Sequence, residues 1–319
     1  MKSIHCVIVL YNGEEWLEKC LGSLIASSVP LNVIVVDNKS ADQSVTKVKK
    51  LFPTVDLIEN ENNVGFGMAN NIGIARALEQ GADYVFLLNQ DAWIEPDTIS
   101  FLLETAACSP GFGIISPIHL NASGTALDRN FARCIIPSKC AGLYSDQWCG
   151  QLRKTAYEAE FVNAAAWLIS RACLEKVGGF CPAFFMYGED DNFVQRARFH
   201  GFKLGVSAAS YIRHDRYDRK ENKFFADRRA NAIRELRVRL CNPGSNYLPI
   251  FLRKEAKEII KSAVTLKPRS LLQSLDRLGI GLRESRRLAP LVEQMRSPGD
   301  TFLDVSRERA GPAVNGVRE

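Results

Sequence analysis

Two kinds of apolar pattern alternate along the first ninety residues. Ile4-His5-Cys6-Val7-Ile8-Val9-Leu10 is a continuous run rich in β-branched side chains. That is the pattern of a strand buried on both faces. It stops at Tyr11-Asn12-Gly13, after which Trp16, Leu17, Cys20, Leu21 and Leu24 share one helical face until Pro30. Residues 32–36 predict a second buried strand, ending at Asp37-Asn38-Lys39-Ser40. Residues 41–51 read as a helix, 55–58 as a short strand and 68–80 as another helix. Residues 84–88 predict the next strand, which ends at Asn89-Gln90-Asp91. This alternation predicts an α/β fold with a mainly parallel, nucleotide-binding sheet flanked by helices. Its polar clusters fall at the C-terminal ends of the strands, where open α/β sheets bind their ligands.

The pattern then becomes irregular. Residues 118–158 are polar, glycine-dotted and aperiodic, and are expected to form long loops over the site. Residues 159–171 suggest a strand pair, and 172–179 a short helix with a glycine stop. A helix from Asp190 to about His200 leads into apolar segments at Phe202–Val206 and Tyr211–His214. Helices are predicted over 223–241, 252–266 and 270–295, punctuated by Pro243, Pro249 and Pro268. The last twenty or so residues, rich in Gly, Pro and charge, are expected to fray.

Composition narrows the class. With 319 residues and 46% hydrophobic content, the chain can bury a substantial core. No stretch approaches the roughly 18 to 20 apolar residues that span a bilayer, and no signal-peptide pattern opens the sequence. A cytoplasmic location is expected, with peripheral contact on the inner face of the membrane. Nine cysteines without a C-x-x-C pair fit buried free thiols better than disulfides or zinc, with Cys140 and Cys149 the pair to watch. Charge is uneven: residues 211–319 hold 24 Lys+Arg against 14 Asp+Glu, and residues 1–210 hold 17 against 22. A basic segment facing an anionic partner is one reading and a solvated helical surface the other.

Three places carry candidate chemistry. Asp37 follows an apolar strand and suits either a base or ribose hydroxyl, or a helix cap. A dinucleotide fold would show G-x-G-x-x-G after the first strand, but the chain reads Tyr11-Asn12-Gly13-Glu14-Glu15-Trp16. Asp91 is a lone carboxylate at a strand end, consistent with Mg²⁺ or Mn²⁺. Glu189-Asp190-Asp191 follows Phe184-Phe185-Met186-Tyr187-Gly188, so like charges crowd beside aromatic surface. That arrangement raises at least one carboxyl pKa, as a general base requires, although acids also favour helix N-termini.

In order, Val9-Leu10-Tyr11-Asn12, Val35-Val36-Asp37-Asn38, Asn62 to Gly73, Leu87 to Asp91, Gly178-Gly179-Phe180, Phe184 to Asp190, Arg196, Gly201 and His214 form one series. It resembles the inverting family-two glycosyltransferases with the A-type fold, typified by bacterial rhamnosyltransferases, over roughly residues 4–240. The resemblance implies that Asp37 recognises the base, with Tyr11, Asn12 and Asn38 beside it. It implies that Gly65 to Asn71, including Asn70, forms the loop under the diphosphate, with Asn89 and Gln90 nearby. It also implies a divalent metal, Mg²⁺ or Mn²⁺, on Asp91 and the distant His214, and Asp190 as catalytic base. Three positions depart from the pattern: the acidic triplet reads Asn89-Gln90-Asp91, Cys181 follows Gly178-Gly179-Phe180, and Asn192 follows the acidic pair.

The resulting expectation is a catalytic domain over 1–240 and a basic amphipathic helical extension over 241–319. The donor is a nucleotide sugar, with an activated deoxyhexose such as dTDP-rhamnose as the best guess. The acceptor is a glycan or lipid-linked glycan of bacterial cell-surface polysaccharide synthesis, and no nucleic acid partner is expected. A catalytically silent sugar-nucleotide-binding protein is the alternative; a nucleotidyltransferase would need a glycine-rich loop with lysine near the first strand, which is absent. In the tail, Leu252, Ala256, Ile259, Ile260 and Ala263, then Leu271, Leu272, Leu275, Leu278 and Leu282, form apolar stripes amid Lys and Arg. These stripes either pack on the catalytic domain or meet an anionic membrane, and the basic excess favours the membrane.

Overall fold

The computed structural model describes residues 2–216 and 227–303. The strands are β1 (Ile4–Leu10), β2 (Asn32–Asp37), β3 (Asp56–Glu59), β4 (Tyr84–Leu88), β5 (Ala92–Ile94), β6 (Phe112–Asn121), β7 (Ala156–Glu158), β8 (Ala166–Ser170) and β9 (Lys203–His214). The first helices are α1 (Leu17–Ile25), α2 (Ser44–Leu51), α3 (Phe66–Glu79), α4 (Thr98–Cys108), α5 (Arg129–Cys134) and α6 (Ala141–Trp148). They are followed by α7 (Arg171–Val177), α8 (Glu189–Phe199), α9 (Arg228–Leu240), α10 (Tyr247–Val264) and α11 (Pro268–Arg296).

The strands form one sheet in the order β3-β2-β1-β4-β8-β6-β9-β5, with β7 pairing β9. Neighbours from β3 to β4 are parallel, as are β6 and β9, while β8, β5 and β7 run antiparallel to their partners. The continuous apolar runs have the expected physical basis. In β1, Val7 enters the core on one face of the sheet while Cys6 and Ile8 enter the core on the other. In β2, Ile34 and Val36 divide from Val35 in the same way. Alternation with both faces buried requires apolar residues at every position.

The irregular middle of the chain departs from expectation. Residues 118–158 are not simply loops: β6 runs to Asn121, and α5, α6 and β7 follow. Short elements of three to ten residues leave too little length for a period to emerge. Residues 159–171 hold a single strand, β8, and not a strand pair. Ala159, Val162, Ala164 and Ala165 are buried there without joining a ladder, so the run is apolar because it is covered. The segments at 202–206 and 211–214 are one strand, β9. In the tail, Pro249 lies in the first turn of α10, where its missing N–H costs no helical bond, so that helix starts before the proline. Residues 223–226 of one predicted helix, and residues 304–319, which include most of the end predicted to fray, lie outside the described residues.

A third cluster joins the tail to the site. Cys181, Ala183 and Phe184 pack with Cys241, Leu288, Met295 and Phe302. Asn192, at an acidic position of the family pattern, donates to the Cys241 carbonyl at 3.0 Å, and Gly179 N–H donates to Thr301 O at 2.7 Å. Among the described residues no helix is long and apolar enough to cross a membrane, and all nine cysteines are free thiols.

Candidate active site

The parallel half of the sheet brings the ends of β1, β2 and β4 side by side. Gln90, after β4, accepts from Tyr11 N–H at 2.8 Å and donates to Tyr11 O at 3.1 Å, which clamps the end of β1. Asn12, with a positive φ of 47°, accepts from Ala41 N–H at 2.8 Å, while its own N–H donates to Ser40 Oγ at 3.0 Å. The buried Asp37 carboxylate accepts from Ser40 N–H at 3.2 Å. It does not cap α2, which begins seven residues later at Ser44. Asn38, also buried, accepts from Val64 N–H at 3.0 Å and donates to Asn63 Oδ1 and Gly65 O at 2.8 and 3.3 Å. These bonds fix the 60–65 loop against β2.

Gly65 opens α3 at φ 86°, and a Cβ there would lie 2.3 Å from Phe185 O. Only glycine allows the loop to approach the Phe184–Gly188 segment so closely. Asn70 donates to Phe66 O, and Asn71 donates to Phe180 O at 2.8 Å while accepting from Phe180 N–H at 2.6 Å. Asn71 is thus a bracket between α3 and the Gly178–Phe180 turn. The buried Arg196 holds that turn from the other side, donating to Val177 O and Gly179 O.

Asp91 and His214 lie on neighbouring strand ends and are both buried. Asp91 Oδ1 is 3.3 Å from His214 Nε2, and Arg216 Nε donates to the same Nε2 at 3.1 Å. With Nε2 accepting, the imidazole proton sits on Nδ1, facing Asp128 Oδ2 at 3.9 Å. A carboxylate oxygen and an imidazole nitrogen therefore converge on one point, which the Arg216 guanidinium also approaches. The pair fits Mg²⁺ or Mn²⁺, which take one or two protein ligands and complete their shell with phosphate oxygens and water. Among the described residues no group of three or more His, Cys, Asp or Glu side chains is placed to hold a metal.

The three acids occupy the first turn of α8, after Gly188. In the core, Trp167, Phe180 and Phe193 pack with ring centroids 5.0 to 6.4 Å apart, Phe193 lying on α8 itself and all three fully buried. Burial drives the Glu189 carboxyl well above its usual range, reinforced by Asp190 and Asp191, and Glu189 Oε2 is buried without a hydrogen-bond partner. Burial also raises Asp190, against the pull of backbone N–H groups from Asp191 and Ala164 and of the Arg216 charge. Asp191 is pushed up to about 7 by burial and by Asp190, with Lys139 opposing. The N-terminal helix charge favours ionised acids here, but desolvation exceeds it. The Arg216 charge thus acts on both Asp190 and His214.

Comparison with known proteins agrees with this geometry. Residues 5–130 match the model of Glycosyl transferase family 2. N-acetylglucosaminyl-diphospho-decaprenol L-rhamnosyltransferase of Mycobacterium tuberculosis is 27% identical over 229 residues, covering 65% of this chain and 75% of that protein. Residues 5–130 thus carry a family-two glycosyltransferase domain, and the chain is similar to rhamnosyltransferases. At the level of fold, TarS 1-349 of S. aureus in complex with UDP-GlcNAc superposes with a TM-score of 0.52 at 16% identity, covering 88% of this chain and 92% of that one. GalNAc-T7 with UDP, GalNAc and Mn²⁺ gives 0.54 at 15% identity, covering 74% and 48%.

Within the glycosyltransferase, Tyr11, Asn12, Asp37, Asn38, Gly65, Asn89 and Gln90 gather around the ends of β1, β2 and β4 and the loop after β3. Asn70 and Asn71 turn toward the protein's own backbone. Three neighbours escaped the sequence reading: Asp128, Arg216 and Lys139. Asp128 accepts from Asn130 and Phe131 N–H and caps α5, so a cap signature at 128–131 was its only sequence signal. Arg216 and Lys139 sit in stretches whose charge gives no positional cue.

Proposed function

We propose that this glycosyltransferase moves a sugar, an activated deoxyhexose such as that of dTDP-rhamnose, from a nucleoside diphosphate to a hydroxyl of a lipid-linked glycan, with inversion. Residues 1–240 form the catalytic domain and 241–319 a helical extension that works against an anionic membrane surface, on its inner face. The carrying observation is the Asp91–His214 pair at the strand ends together with the Asp190 carboxyl, raised by burial at the start of α8, with the Arg216 charge acting on both.

Tyr11, Asn12, Asp37 and Asn38 hold the nucleoside, while Gly65, Asn70 and Asn71 set the α3 terminus beneath the diphosphate. Asp91 and His214 would hold the divalent ion, which supplies charge neutralisation for the departing nucleoside diphosphate. Asp190 accepts the acceptor hydroxyl proton as that oxygen bonds to the anomeric carbon and the carbon–phosphate oxygen bond breaks on the opposite face. A carboxylate with a raised pKa is a stronger base for this transfer than an exposed one.

Incubation of a donor panel with a polyprenyl-diphosphate glycan, with and without Mn²⁺, tests the reading. Expected are nucleoside diphosphate release that depends on acceptor, and a product of inverted anomeric configuration by NMR. Donor binding without any release would instead favour a catalytically silent binding protein, in keeping with the Asn89-Gln90-Asp91 triplet.

A further inference from the structure

The helical hairpin of α10 and α11 is inside out. Its two helices meet through polar and small groups and the Phe251 ring: buried Glu255 of α10 pairs with Arg277 of α11 at 3.0 Å, and Arg277 also donates to the buried Ser274 of its own helix at 2.8 Å. Gly281 lies so close to Phe251 that a Cβ would come within 2.1 Å, and Ser262 is also buried. The large apolar side chains near the turn face outward: Ile260 is 63% exposed, Val264 78%, Leu266 87% and Leu272 67%. The apolar stripes in the sequence are therefore not the surface that packs on the catalytic domain. The far end of α11 performs that packing, through Leu288 and Met295.

The turn itself sharpens the point. α10 ends with Lys267 N–H donating to Ser262 O at 2.9 Å and Leu266 N–H to Ala263 O at 3.2 Å, the two bonds of a Schellman motif. The left-handed position of that motif normally takes glycine, yet Leu266 occupies it at φ 50°. Backbone strain is thus accepted to hold a leucine at the most projecting point, where it gains nothing from water. Between Glu258 and Asp276 the chain carries Lys261, Lys267 and Arg269 and no acid. All of residues 263–269 are exposed.

We propose that this tip, with Ile260, Val264, Leu266 and Leu272 as the inserting side chains, docks into an anionic lipid bilayer. An apolar tip ringed by cations matches such an interface: the leucines enter the acyl boundary and the cations meet the headgroups. The proposal rests on the membrane-facing reading above and names the surface responsible.

Co-sedimentation of the full chain with phosphatidylglycerol-rich and pure phosphatidylcholine vesicles tests it. Wild type should bind the anionic vesicles and release with salt. Ile260→Ser, Val264→Ser, Leu266→Gly and Leu272→Ser combined should lower binding at least about tenfold with an unchanged melting midpoint, because these side chains are exposed. Leu266→Gly alone relieves the strained turn, so it keeps the fold even if the combined variant fails, and it should still weaken binding. Lys261→Gln, Lys267→Gln and Arg269→Gln should each cost about fivefold. Wild type that binds no vesicle overturns both the proposal and the membrane reading. Wild type that binds while the tip variants bind equally well overturns the proposal alone. A dimer that buries the tip and persists on vesicles, seen by ultracentrifugation and cross-linking, also overturns it.

Discussion

The two ends of the candidate site treat polar groups in opposite ways. Around the ends of β1, β2 and β4, polar side chains find partners in the protein's own backbone: Gln90 with Tyr11, Asn12 with Ala41, Asp37 with Ser40, Asn38 with Val64. At the start of α8, three carboxyls crowd together in the first turn, and the buried Glu189 Oε2 has no hydrogen-bond partner. The first region is a largely satisfied frame whose shape exists before a ligand arrives, with Asn89 Oδ1 a buried atom there that finds no hydrogen-bond partner. The second holds acids away from their preferred ionised, hydrated state. Binding benefits from a fixed frame, whereas a base gains strength from an environment that disfavours its charge.

The largest effect should come from the base end. Asp190→Asn is expected to lower transfer by about 10² to 10⁴ while leaving donor affinity nearly intact. Glu189→Gln should retain most activity, because burial and the neighbouring acids already disfavour the Glu189 charge. Steady-state rates paired with calorimetric donor titration separate the two. An inactive Glu189→Gln beside a wild-type Asp190→Asn would reverse the assignment.

Between the two ends, Asp91→Ala and His214→Ala should each weaken Mn²⁺-dependent donor binding. Their combination should be far from additive, since either loss opens the same coordination shell. Mn²⁺ titration of donor affinity in the single and double variants is the measurement, and unchanged metal dependence in both would leave the pair a packing contact.

The frame should reveal itself through stability. Asn71→Ala orphans the buried N–H and carbonyl of Phe180, at a cost of about 1–3 kcal/mol for each group left unpaired. Denaturant midpoints test this, and a loss of activity without loss of stability would move Asn71 from frame to ligand contact.

The smallest effect is a pH signature. A carboxyl whose folded pKa is raised contributes stability that is fully present below its unfolded value, about 4, and is lost as pH rises through the folded one. For Asp191 that upper limit is about 7. Asp191→Asn should therefore gain in melting midpoint relative to wild type as pH is raised from 4 to 8, the two chains being closest at the acid end. An equal difference at every pH would count against the buried, raised carboxyl.

The sequence by itself determined the parallel half of the sheet. Each of β1, β2 and β4 is a continuous apolar run, because burial on both faces requires it, and polar residues mark the strand ends where ligands bind. The order of short motifs made Asp91, Asp190 and His214 legible as candidates. Only the tertiary structure decided what their neighbours are. Asp91 and His214 are 123 positions apart in sequence, and their 3.3 Å approach depends on β5 pairing with β9. Arg216 beside His214, and Asp128 facing the imidazole, leave no periodic trace because a single contact has no period. The tail shows the same limit from the other side. Helical spacing placed its leucines on stripes, but a stripe has no sign: solvent, protein and lipid demand the same periodicity, and only packing of Glu255, Ser262, Ser274 and Gly281 inside the hairpin turned Ile260, Val264, Leu266 and Leu272 outward.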